Sequence, residues 1–293
     1  MNARVLIVIV CVMAVVNVAS AVIIRGIDID FVTVGNAGNP GDTRAEANPN
    51  GCGAVSYGYR IGNYEVTNAQ WNTFTAAAGA PTGNNGGYSW SSYYTGDQQP
   101  TTGVSWYEAA QFCNYLTSGD KSKGAYQFNG NNVNPGDFLG INRDAAISSY
   151  GVAYVIPTED EWYKAAYYKP NGSGYSLYAN GTNTAPVAGV QSNYNGVIGA
   201  PWNINTGTQE QNGTFDMMGN VWEWNETLFY GSFRGLRGGS CLSDDRLASS
   251  FRTDFPPDLE GGFVGFRVAE VPEPATLFLL GLGGLAVLRK RRG

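Results

Sequence analysis

YVIPTEDEWYKAAYY, residues 154–168, changes from a strand-like to a helix-like pattern within four residues. Tyr154, Val155 and Ile156 are aromatic or β-branched, the types that suit a buried strand. Pro157 disfavours a helical residue before it, so the strand ends there. Thr158 is then followed three residues later by Glu161, the capping-box spacing that opens a helix. The same spacing occurs at Thr67 with Gln70 in TNAQWNTFTAA and at Ser105 with Glu108 in SWYEAAQFCNYL. In the latter, Ala109, Phe112, Cys113 and Leu116 fall at i, i+3, i+4 and i+7, one apolar face that makes Cys113 a core residue. Three short helices are predicted.

Outward from these helices the chain is rich in Gly, Asn, Ser and Tyr, notably over 82–100, 118–150 and 171–213, a composition of turns and irregular loops. Interspersed Tyr, Trp and Phe supply the apolar area that disordered chains lack. A strand-like run from Val22 to Phe31 precedes a Gly/Asn/Asp/Pro-rich loop. Trp222 and Trp224 stand two apart, on one face of an extended segment, and read as core. Gly238 and Gly239 permit close backbone approach, and Phe263, Phe266 and Val268 suit a final strand. The fold class expected is α+β and loop-rich.

The two ends carry different signals. MNARVLIVIVCVMAVVNVASA places Arg4 before an apolar run and finishes on Ala19-Ser20-Ala21, which predicts a signal peptide over 1–21 and a mature start at Val22. At the other end Pro272-Glu273-Pro274 precedes an apolar run from Ala275 to Leu288 and then Arg289, Lys290, Arg291 and Arg292. That run is short and glycine-rich for a permanent span. Setting aside the five basic residues of the two ends leaves 13 of 18, against at most 24 acidic, a net charge near -11 that argues against nucleic acid. Histidine is absent, which excludes histidine-based nucleophile activation and His-ligated zinc or iron. Cys52, Cys113 and Cys241 remain in the mature chain, so at most one internal disulfide can form.

Six phrases in order, IGNYEVTNAQW (61–71), PTTGVSWYEAAQFCNYL (100–116), YVIPTEDEWYKAAYY (154–168), DMMGNVWEW (216–224), LRGGS (236–240) and GFVGFRV (262–268), resemble the formylglycine-generating, or sulfatase-modifying factor, family. The resemblance implies one domain over 22–271: a loop-rich variant of the C-type lectin fold, with short helices on small twisted antiparallel sheets. The tail resembles a PEP-type sorting signal over 272–293. It implies transient anchoring through 275–288, with the basic residues kept cytoplasmic, then cleavage near 272–274 by an exosortase after signal peptidase has acted. The localisation implied is the cell surface or extracellular matrix.

In the family two cysteines bind copper and oxidise a substrate cysteine. The segment GGSCLSDDRLASSFR aligns without a gap between Ser240 and the Phe251-Arg252 pair, which puts Ser243 and Ala248 at the thiol positions. A hydroxyl and a methyl cannot replace two soft thiolates, so copper is not expected and no catalytic residue is assigned. Cys241 lies two residues early; in a strand it would share a face with Ser243. Calcium is the metal the resemblance favours, one site drawing on Asn193 and Tyr194, the other on Glu210, Gly213, Gly219, Asn220 and Val221, as hard oxygen donors allow. The expected function is a non-catalytic module binding a glycan, an exopolysaccharide or a surface protein; the alternative is a divergent enzyme of the same superfamily.

Overall fold

In the computed structural model, residues 20–81, 94–129 and 138–272 are described. Residues 1–19 of the signal-peptide reading and the sorting tail beyond Pro272 lie outside them. In chain order, β1 (Ser20–Ile24), β2 (Ile27–Val34) and β3 (Tyr59–Gly62) precede α1 (Asn68–Ala78) and α2 (Trp106–Ser118). Then come β4 (Tyr126–Phe128), β5 (Phe138–Ile141), α3 (Arg143–Tyr150), β6 (Val152–Val155) and α4 (Glu159–Tyr167). A long loop leads to β7 (Trp222–Leu228), β8 (Arg234–Arg237), β9 (Thr253–Phe255), β10 (Val264–Gly265) and β11 (Ala269–Pro272).

All three predicted caps form as reciprocal capping boxes, at Thr67, Ser105 and Thr158. Each satisfies two backbone N–H groups that a helix start leaves unpaired. The stretch 118–150, expected as irregular loop, contains instead the β4/β5 hairpin and a fourth helix, α3. Asn142 caps α3 through Ala145 N, but Glu or Gln is missing at the third helical position and only Ala146 and Ile147 are buried, so it left no strong amphipathic pattern. The run from Val22 to Phe31 is a hairpin, not one strand: it turns at Arg25-Gly26, both at positive φ, the twist a two-residue β-turn needs.

One sheet has the order β1-β2-β3-β11-β6, so the last strand of the domain sits inside it, antiparallel to both β3 and β6. A second has the order β10-β7-β8-β9, with β10 parallel to β7. The phrase read as one final strand is therefore divided between two sheets. Arg267 lies at the division, fully buried, where its guanidinium grips Glu223 and three backbone carbonyls.

The larger apolar cluster joins α1 and α2 to both sheets through Phe74, Trp106, Phe112, Trp224 and Phe266. A second lies under α4, where Trp162, Tyr163 and Tyr167 meet Val32, Ile61, Met217 and Met218. Each fully buried large side chain contributes roughly 1.5–3 kcal/mol. Because so much backbone is irregular, side chains supply many of its hydrogen-bond partners. Arg143 does so while bridging Glu161 and Glu226, and it donates to Ile156 O at 2.9 Å. Cys52, Cys113 and Cys241 are all buried and unpaired with one another.

Candidate functional site

Trp222, at the start of β7, forms one wall of a cleft of about 210 Å³ whose other lining residues are Ser240, Leu242, Ser243, Asp244 and Arg246. The segment 241–250 is a run of turns, not the strand that would align Cys241 with Ser243. Ser243 is buried; its Oγ accepts from Ser240 N at 2.8 Å and lies 3.3 Å from Ser240 Oγ. Ala248 is buried too, and Arg252 is directed elsewhere. The Arg252 guanidinium donates twice to Glu159, at 2.8 and 2.5 Å, and lies 3.7 Å over the Phe229 ring. Glu159 also holds Arg237, so the first residue of α4 ties the Arg252 segment to β8.

Among the described residues no cysteine lines the cleft. Cys241 is fully buried, and burial pushes its thiol up to about 12, so it stays protonated at neutral pH. Burial likewise raises the thiols of Cys52 and Cys113. The Ser243 hydroxyl has no histidine to activate it.

A loop with exposed aliphatic residues hydrogen-bonds to the cleft-lining segment. Asn195 N donates to Ser243 O at 2.6 Å and Gly196 N to Cys241 O at 2.8 Å, which brings the 187–198 loop against the cleft. Val187, Val190, Val197, Ile198 and Leu242 are all more than half exposed on these adjoining loops. Solvated clusters of this kind mark interaction surfaces.

Behind the cleft, the candidate metal residues divide into two groups. Asn193, Gly219 and Asn220 come together: Asn220 N donates to Asn193 O at 2.8 Å, and Asn220 Oδ1 accepts from Asn193 Nδ2 and from Trp202 N. Gly219 (φ 84°) is required there, since a Cβ would lie 2.2 Å from Asn193 O. Gly219 N also donates to Gly238 O at 2.8 Å, the close approach read from the glycines of β8's end. Val221 is buried beside them, whereas the Tyr194 hydroxyl turns away to Pro186 O. Glu210 and Gly213 form a neighbouring turn. There the Glu210 carboxylate accepts from Thr214 Oγ1 and Met217 N, and burial pushes it up to about 7.

Four buried oxygens in this part of the protein meet no hydrogen-bond donor: Asn63 Oδ1, Glu65 Oε2, Asn193 Oδ1 and Asp216 Oδ2. Glu65 and Asp216 join this group through Asn220 Nδ2, 3.1 Å from Glu65 Oε1, and through Trp202, whose Nε1 donates to Asp216 Oδ1. Burial, then the Asp216 charge, raises Glu65 well above the carboxylate range; burial does the same to Asp216. Both lie within phrases quoted above, NYEVTN and DMMGN, but nothing in their spacing joins residues 151 positions apart. Among the described residues no group of three or more His, Cys, Asp and Glu forms a metal site by itself. Hard oxygens lacking donors are, however, the set that calcium takes.

These features define a class: a mixed α+β domain of C-type-lectin-like fold, with short helices, small curled sheets and long loops that form a cleft. Its fold is similar to that of Treponema denticola variable protein 1 (TM-score 0.62, 22% identity, covering 88% of this chain and 100% of that one). It is similar also to CarF (0.61, 22%, 84% and 99%) and to PvdO from Pseudomonas aeruginosa (0.61, 15%, 86% and 98%). A curated relative, the chaperone protein LppX of Paenibacillus barcinonensis, is 26% identical over 235 residues, 72% of this chain and 79% of that protein. Residues 27–271 match the sulfatase-modifying factor enzyme 1-like domain, and the chain belongs to that family. Residues 270–292 match the PEP-CTERM protein-sorting motif, which marks the chain for export and surface-associated sorting by exosortase-type machinery. No helix among the described residues is long and apolar enough to cross a membrane.

Proposed function

We propose that this protein is a non-oxidase binding module that works at the cell surface or in the extracellular matrix and takes an apolar segment of a partner protein in the cleft at Trp222. The observation that carries this reading is one juxtaposition. The ungapped register with the family puts Ser243 and Ala248 at its thiol positions. Ser243 and exposed Leu242 line the cleft, and four further exposed aliphatic side chains lie on the 187–198 loop that hydrogen-bonds to it. These aliphatic side chains favour a protein segment there over a glycan or exopolysaccharide, whose hydroxyls would gain little from valine and isoleucine. Calcium acts as a structural ion in this reading. Glu65, Asp216 and Asn193 would hold it beside Asn220, where it would supply positive charge to oxygens that otherwise lack a partner.

The test is a peptide-display selection on the mature chain. It is expected to enrich apolar extended peptides whose binding falls about tenfold or more in Ile198→Asp and Leu242→Asp. Enriched peptides indifferent to both substitutions, or no enrichment, would sink the assignment of this face.

A further inference from the structure

A second cavity, of about 370 Å³, opens between the N-terminal turns of α1 and α2 and shares no lining residue with the Trp222 cleft. We propose that it is a binding site for a neutral saccharide, held by Trp71, Thr102, Glu108 and Glu260. Its volume lies at the small end of ligand cavities, where a mono- or disaccharide fits.

Three observations identify the chemistry. First, Glu108 and Glu260 both line the cavity, and burial raises the Glu108 carboxyl above its ordinary value. Two carboxyl groups on one wall offer acceptors to the hydroxyls of a sugar. Second, Thr102 is 1% exposed, and its Oγ1 lacks any hydrogen-bond partner in the protein, although the residue lies on the cavity wall. A hydroxyl left unpaired in this way is the mark of a missing polar partner. Third, Trp71 is half-buried: Phe112 stacks on it at 5.9 Å, Phe74 and Phe266 meet it edge-on, and its remaining surface lines the cavity. An immobilised indole beside polar side chains suits the mixed apolar and hydroxyl faces of a pyranose.

Other ligand classes fit less well. Anions would meet the two carboxyls, and an apolar ligand would leave Thr102 Oγ1 unpaired. A dication would have to compete for Glu108 Oε2, which already accepts from Ser105 N at 2.8 Å in the α2 capping box. The site binds sugar independently of the protein-binding cleft.

The experiment is an array of neutral and acidic oligosaccharides probed with the mature exported chain, followed by calorimetric titration of cellobiose, maltose, mannobiose and any array hit. Neutral glycans are expected to bind, with affinity falling about tenfold in Trp71→Ala and in Glu260→Gln. Leu242→Ala, in the other cleft, is expected to bind sugar unchanged. Thermal unfolding of each variant separates lost binding from lost folding, and Thr102→Val, which keeps shape, supplies a second reading of the same wall. Binding confined to acidic glycans, no binding by any neutral sugar, or binding that survives both Trp71→Ala and Glu260→Gln overturns the proposal. So does calcium uptake abolished by Glu260→Gln.

Discussion

Lys164 is an unusual residue for the middle of α4. It is fully buried, donates to Asn36 O at 3.1 Å, and burial pulls its ammonium down to about 8. Below pH 8 the folded protein must carry that charge in a dry place. Between pH 8 and the ordinary lysine value the unfolded chain binds more protons than the folded one, so this group's contribution to stability rises with pH. Lys164→Met is therefore expected to be more stable than the parent by about 2 kcal/mol at pH 7, with the difference shrinking toward pH 10. Equal melting temperatures at pH 7 would count against this account. At the thiol positions the expectation is chemical. Copper-loaded protein given oxygen and a sulfatase-type cysteine peptide should produce no formylglycine, because Ser243 and Ala248 offer no thiolate and Cys241 is buried and protonated. A mass loss of about 18 Da in the peptide, the thiol-to-aldehyde change, would instead place a divergent oxidase in this cleft.

Among the elements, those with strong local chemistry were legible before any tertiary structure. The capping boxes at Thr67, Ser105 and Thr158 need only four consecutive residues, so three helices could be placed from their starts. The α3 helix and the β4/β5 hairpin could not, since they are held mainly by what packs against them. Phe138 touches Trp106, Tyr107 and Phe128, and Ile147 is covered by the core. The turn from Glu210 to Val221 makes the same point for the site. Its glycines and asparagines were readable, but Glu65 arrives from the far side of β3 through Asn220. If calcium occupies those oxygens, EDTA should lower the melting temperature by the equivalent of a few kcal/mol at saturating ion. Glu65→Gln with Asp216→Asn should remove the EDTA effect. An unchanged melting curve with EDTA would leave the cluster protonated rather than metal-bound.

For the whole molecule, the placement of β11 controls how the chain can be processed. The sorting motif begins at residue 270, inside a strand that lies between β3 and β6. Cleavage near Pro272 to Pro274 keeps all of β11, whereas a cut a few residues earlier would remove a central strand and its ladder. A chain ending at Pro274 is thus expected to melt cooperatively like the longer form, and one ending at Val268 to be unfolded, as circular dichroism would report. Intact mass of surface-released protein should correspond to Val22 at the start and an end between Pro272 and Pro274; retention of 275–293 would exclude release by cleavage. At the other end the consequence is milder. A start at Val22 costs β1 its pairs from Ser20 and Ala21, on an edge strand whose remaining pairs with β2 persist.

The amino-acid sequence alone determined the family, the α+β class, the three capped helices and the C-terminal sorting signal. Each of these is written in contiguous residues or in a register between nearby landmarks. Tertiary structure alone decided which distant groups share a space: Glu65 with Asp216, Arg252 with Glu159, Glu108 with Glu260 in one cavity, and the 187–198 loop with the segment that lines the Trp222 cleft. The physical reason is that buried polar groups take partners by proximity and desolvation, not by spacing along the chain. In a loop-rich domain those partners come from segments separated by a hundred residues or more, and only folding brings them together.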